Sequence, residues 1–154
     1  MNLSKEHLRL YAITDRKWCT DNTLENQIEA AITGGVTILQ LREKGTDFDN
    51  FLSLALSVRK ITAKFNIPLI INDNVDIAIK CNADGVHVGQ NDSEIAEIRN
   101  RWGNDKIIGV SVKTVEAALL AEKQGANYLG VGAMFSTSTK SCLSSSKFDF
   151  NSSI

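Results

Sequence analysis

Short apolar runs rich in β-forming residues alternate along this chain with longer segments of helical period. The runs occupy residues 10–14, 37–42, 69–72, 85–89, 107–111 and 128–132. Each is too apolar for a half-exposed strand and too short for a helix, the pattern of parallel strands buried on both faces. Between them, Leu24, Ile28 and Ala31 share one helical face, as do Phe51, Ala55, Val58 and Thr62, then Ile95, Ile98 and Trp102, then Val115, Ala118 and Leu119. Thr46-x-x-Asp49 reads as a capping box, and Gly34 and Gly125 fall where helix C-caps belong.

Strands that begin near residues 10, 37, 69, 85, 107 and 128 predict six βα units. Such a succession implies right-handed crossovers and a parallel sheet, either open and doubly wound or closed as a TIM-type barrel. No G-x-G-x-x-G follows the first run, so the dinucleotide-binding version lacks its fingerprint.

Composition narrows the class of protein. With 154 residues, 43% apolar and 23% charged, the sequence describes one globular domain with a single core. A formal net charge of -1 gives no sign of a nucleic-acid surface or a basic membrane arm. No apolar run approaches the ~20 residues of a membrane span. Cys19, Cys81 and Cys142 are odd in number and widely separated, which favours a reduced, cytoplasmic setting over a disulfide framework.

The candidate chemistry is positional. Polar and charged residues follow nearly every predicted strand: Thr14 and Asp15; Gln40, Arg42 and Lys44; Asn72 and Asp73; Gln90 and Asp92; Ser111 and Lys113; and Thr137, Ser138, Thr139 and Lys140. In both parallel architectures ligands bind at the carboxyl ends of the strands, so these residues converge in space. Gln40 and Arg42 share a strand face, and Lys44 follows at the same parity. Arg42 has two readings: a salt bridge to a neighbouring loop, or a fork for phosphate oxygens with Lys44 as a point charge beside it. Asp73 and Asp92 both suit helix N-caps. Together, beside several cations, they also suit Mg²⁺, which takes one or two carboxylates plus substrate phosphates. Residues 137–140 read either as a solvated loop or as a phosphate-holding turn without P-loop glycine spacing. His87, inside an apolar strand, reads as a core histidine or one that supports a neighbour. No Gly-x-Ser-x-Gly or Ser-x-x-Lys accompanies it.

Taken together, Gln40-Leu41-Arg42-Glu43-Lys44, Ile71-Asn72-Asp73, Asp84 to Gln90 with Asp92, Ile108-Gly109-Val110-Ser111, and Gly130-Val131-Gly132 with Thr137-Ser138-Thr139-Lys140 resemble the thiamine-phosphate synthase family. The resemblance covers about residues 8–140. It implies a (β/α)₈ barrel that joins hydroxymethylpyrimidine diphosphate to hydroxyethylthiazole phosphate and releases diphosphate. It further implies that Gln40, Arg42, Lys44, Asn72, Ser111 and Lys140 bind the pyrimidine diphosphate, with Leu41 and Glu43 inside the same binding segment. Asp73 and Asp92 would hold Mg²⁺, and Thr137, Ser138 and Thr139 would contact the thiazole phosphate. Arg42, Lys44 and Lys140 would carry the catalytic charge stabilisation. The related barrels that isomerise a thiazole carboxylate phosphate have no need of the diphosphate and magnesium set.

The pattern also predicts a shortfall. Only six βα units are legible, and residues 141–154 hold six of the chain's 13 serines and no Gly, Ala or Val. TIM barrels run from ~200 residues upward. The expectation is therefore a barrel domain over 8–140 lacking its last two units, a tail outside the fold, and either an inactive synthase chain or a non-catalytic phosphate-binding remnant.

Overall fold

The computed structural model describes residues 3–19, 23–89 and 95–132. Six parallel strands, β1 (Tyr11–Ile13), β2 (Ile38–Leu41), β3 (Leu69–Asn72), β4 (Gly85–Val88), β5 (Ile107–Val112) and β6 (Tyr128–Val131), lie side by side in chain order. Five helices connect them: α1 (Leu24–Thr33), α2 (Phe48–Lys64), α3 (Val75–Lys80), α4 (Ile95–Trp102) and α5 (Val115–Lys123). A doubly wound sheet needs a reversal of strand order; here there is none, so right-handed crossovers put every helix on one face. Of the two architectures open to the sequence, the barrel-type winding is the one present.

Strand alternation divides the interior in two. Leu39, Leu41, Leu69, Ile71, Val86, Val88, Ile108, Val110 and Val112 face the helices and form the main core with Leu24, Phe51, Val58, Ile77 and Ile98. Ile38, Ile70 and Ile107 pack on the opposite face with Tyr11 and Tyr128. In a flat sheet β1 and β6 would be separated by five strand spacings, about 24 Å. Instead, the hydroxyls of Tyr11 and Tyr128 meet at 2.6 Å, so the sheet is curled around its second face. The edge strands β1 and β6 are only half-buried, whereas β2 and β4 are buried throughout.

Two local expectations change. The cap of α2 is Asp47, whose side chain accepts from the Asn50 N–H; Thr46 instead donates to Glu43. On α5 the buried face is Ala117, Ala118 and Ala121, while Val115 and Leu119 are exposed. Gly34 caps α1, and Gly125 follows the last turn of α5 in the left-handed region at φ +92°.

Candidate active site

The carboxyl ends of β2, β3 and β5 carry the polar residues picked out by the sequence. Gln40 and Asn72 lie on the curled inner face by alternation with Ile38 and Ile70, and Ser111 does so by alternation with Ile107. Register brings Gln40 beside Ile13 and Ile70, Asn72 beside His87, and Ser111 beside Gly130. Residues far apart in sequence thus line one concave end.

Arg42 is held by its backbone. The buried Thr14 hydroxyl accepts from the Arg42 N–H at 2.9 Å and donates to its carbonyl at 3.2 Å, extending the β1–β2 pairing one residue past the strand. Among the described residues no ion pair engages the Arg42 guanidinium or the Lys44 ammonium. The loop carboxylate that could have neutralised Arg42, Glu43, is bonded to Arg16 at 2.7 Å. This hydrogen bond raises the Arg16 pKa, with partial burial opposing it. At the amino ends of the strands, by contrast, Arg59 pairs with Asp84 and Arg99 donates to the carbonyls of Lys106 and Gly125 and to Asn127. At the carboxyl end Arg16 is spent on Glu43, which leaves Arg42 and Lys44, among the described residues, without an ion-pair partner and available to an anion.

Leu41 is fully buried on the helix side, so only its backbone belongs to the site. The Glu43 side chain is 1% exposed, with one oxygen on Arg16 and Thr46 and the other without a hydrogen-bond partner.

Asp73 does not cap α3. The cap is Asn74, whose side chain accepts from the Ile77 N–H at 3.0 Å. Asp73 sits one residue earlier at φ +64°, and the Asn74 N–H donates to the Asn72 carbonyl around it. The Asn72 amide donates to the Asp73 carboxylate at 2.5 Å. A non-glycine residue held in this region beside a strand end is a local cost that functional sites often carry. The oxygen-donor chemistry of Asp73 fits a hard divalent cation. Gln90, Asp92, Thr137, Ser138, Thr139 and Lys140 lie outside the described residues.

The inner face also holds a hydrogen-bonded chain absent from the sequence expectations. Gln40 Nε2 donates to the Tyr11 hydroxyl at 2.8 Å, which meets the Tyr128 hydroxyl. Tyr128 lies 3.0 Å from His87 Nδ1, and His87 Nε2 lies 2.9 Å from Ser111 Oγ. Burial raises the pKa of both phenols. Glycines make the room: a Cβ at Gly109 would stand 2.0 Å from Tyr128 Cζ, and one at Gly130 would stand 2.9 Å from His87 Cε1. The available sequence signal was Tyr11 and Tyr128 at inward strand positions, with Gly109 and Gly130 at positions of the same parity.

A family profile described as thiamine monophosphate synthase matches residues 10–152. The chain belongs to the thiamine monophosphate synthase family. It is 53% identical to the thiamine-phosphate synthase of Clostridium botulinum over 85% of this chain and 62% of that protein. To the thiamine-phosphate synthase of Clostridioides difficile it is 46% identical over 94% of this chain and 69% of the relative. The solved thiamine phosphate pyrophosphorylase of Pyrococcus furiosus superposes with a TM-score of 0.79 at 34% identity, covering 85% of this chain and 63% of that one. The chain thus spans less than two thirds of the length of the C. botulinum relative and of the P. furiosus structure. Membership in this family accords with the curled sheet of six parallel strands and with the inner-face polar residues. No helix among the described residues is long and apolar enough to cross a membrane.

Proposed function

We propose that this chain carries the pyrimidine half of a thiamine-phosphate synthase site, transferring a hydroxymethylpyrimidine group from its diphosphate to hydroxyethylthiazole phosphate. The observation that carries this reading is Arg42, whose backbone Thr14 anchors at the carboxyl end of β2 and whose guanidinium is engaged by no carboxylate among the described residues. Gln40, Asn72 and Ser111 surround the same inner end. In this reading Arg42, Lys44 and Lys140 offset the negative charge that grows on the departing diphosphate, a contribution of several kcal/mol when donors are preorganised. Gln40, Asn72 and Ser111 orient the pyrimidine diphosphate, Leu41 and Glu43 complete the binding segment, and Thr137, Ser138 and Thr139 hold the thiazole phosphate. Asp73 and Asp92 would hold Mg²⁺, whose positive charge would help neutralise the diphosphate.

The bond from the pyrimidine methylene carbon to the diphosphate oxygen breaks, and its electron pair leaves with diphosphate. The thiazole nitrogen lone pair then closes the new C–N bond. The residues of this chain hold the two partners close and keep water away from the cationic carbon. The Cys19 and Cys81 thiols are free, which suits a reducing cytoplasm.

The test is titration of the full chain with hydroxymethylpyrimidine diphosphate by calorimetry, with and without Mg²⁺, followed by incubation with both substrates. Mg²⁺-dependent binding and formation of thiamine phosphate are expected. Absence of binding overturns the site; binding without product reduces the chain to ligand recognition.

A further inference from the structure

The five side chains Gln40, Tyr11, Tyr128, His87 and Ser111 form an unbroken path across the inner face, every link between 2.6 and 3.0 Å. A hydroxyl has one hydrogen to give, so such a path has a direction. Gln40 Nε2 can only donate, and it donates to the Tyr11 oxygen. The Tyr11 hydrogen then has one acceptor on the path, Tyr128. If Tyr128 donated to Tyr11 instead, the Tyr11 hydrogen would lose that acceptor in a part-buried setting, an arrangement that costs the desolvation of the group. Tyr128, accepting from Tyr11, spends its own hydrogen on His87 Nδ1. That leaves the His87 proton on Nε2, where it is donated to Ser111 Oγ.

We infer that this path is a one-way hydrogen-bond relay in which Tyr11, Tyr128 and His87 act as positioning residues that turn the Ser111 hydroxyl hydrogen outward, toward an anionic substrate oxygen. Ser111 is exposed at the carboxyl end of β5, whereas Gln40 and His87 are buried. With one lone pair engaged by His87, the Ser111 hydrogen is available to the ligand. In the opposite polarity Ser111 would donate to His87 and present only lone pairs to phosphate, which repel it. The relay therefore sets the sign of the Ser111 contribution. Its role rests on the proposed synthase reading, but its direction is a property of the ligand-free protein.

The sequence contains two histidines, His7 and His87, so long-range ¹H–¹⁵N spectra of the ligand-free full chain, compared with His7→Gln, assign the His87 ring directly. At a pH where the ring is neutral, the wild-type protein is expected to show a single tautomer, protonated at Nε2. Gln40→Glu replaces the donor with an acceptor and is expected to reverse every link, moving the proton to Nδ1 without any contact between the altered residue and His87. Tyr128→Phe cuts the path beside His87 and is expected to give a mixture of tautomers, which keeps the test open should Gln40→Glu fold poorly. A neutral wild-type ring protonated at Nδ1, or a tautomer unmoved in either variant, would overturn the relay. These readouts need no substrate, so they are independent of the turnover assay that tests the synthase reading.

Discussion

Tyr11 on β1 and Tyr128 on β6 lie 117 residues apart in sequence and meet hydroxyl to hydroxyl at 2.6 Å, with ring centroids 5.6 Å apart. This contact spans the two edge strands of the described sheet across its inner face. It shows the curl most directly, and it joins the polar site to the small apolar layer of Ile38, Ile70 and Ile107 below.

The two tyrosines are the chain's full complement, so its tyrosinate absorbance reports this contact alone. Burial raises both phenol pKa values above the ordinary 10.0. A folded-state pKa above the unfolded value means that stability is intact below about pH 10 and falls as pH rises through that point. The native protein is expected to show no tyrosinate band until well above pH 10, with its appearance tracking loss of structure by circular dichroism. A band titrating near pH 10 in the folded protein would contradict the buried pair.

Gly109→Ala places a methyl group in the space of the Tyr128 ring, 2.0 Å from Cζ. Overpacking of this kind costs about 1–3 kcal/mol. Because the nearest atoms are the outer part of the ring, Tyr128→Leu in the same chain is expected to recover part of the loss. Urea unfolding of the two single variants and the double variant reads the coupling, and strictly additive effects would rule out the clash.

Arg42 and Arg16 are expected to separate function from stability. Arg42→Ala removes a guanidinium with no ion-pair partner among the described residues, so its melting is expected to stay within about 0.5 kcal/mol of wild type. Its turnover in the thiamine phosphate assay is expected to fall by about 100-fold or more. Arg16→Ala leaves the Glu43 carboxylate, 1% exposed, without its cation, and is expected to cost about 1–3 kcal/mol of stability. Equal destabilisation by the two substitutions would show that Arg42 is a structural cation after all.

Asp73→Gly relieves a side chain held at φ +64° without disturbing the Asn74 cap. Stability is expected to hold or to rise by up to about 1 kcal/mol, while Mg²⁺-dependent diphosphate binding is lost. A stability loss matching that of an N-cap deletion, about 1 kcal/mol, with binding retained would return Asp73 to a purely structural role.

The strand positions were legible because a strand buried on both faces must be apolar at every step. The predicted starts near 37, 69, 85, 107 and 128 fall within one residue of the observed strands, and so does the start near 10. The strand-end residues Gln40, Arg42, Asn72, Asp73 and Ser111 were legible for the complementary reason: a charge or amide after such a run needs a partner or a ligand. The buried face of α5 was misjudged because periodicity ranks side chains by hydrophobicity. Ala118 packs on the core as the pattern expects, but its partners there are Ala117 and Ala121, while Val115 and Leu119 are exposed.

What the sequence by itself determined is the succession of βα units and the end of the sheet where polar groups gather, since both follow from local patterning and chain direction. Only the tertiary structure decided which polar groups engage one another. It paired Glu43 with Arg16 and left Arg42 without a carboxylate among the described residues, moved the α3 cap to Asn74, and linked Gln40, Tyr11, Tyr128, His87 and Ser111 through space. The Glu43–Arg16 pair depends on β1 and β2 lying side by side, and the inner-face path depends on the curl that brings Tyr11 to Tyr128; that curvature is a property of all six strands packed together rather than of any one segment.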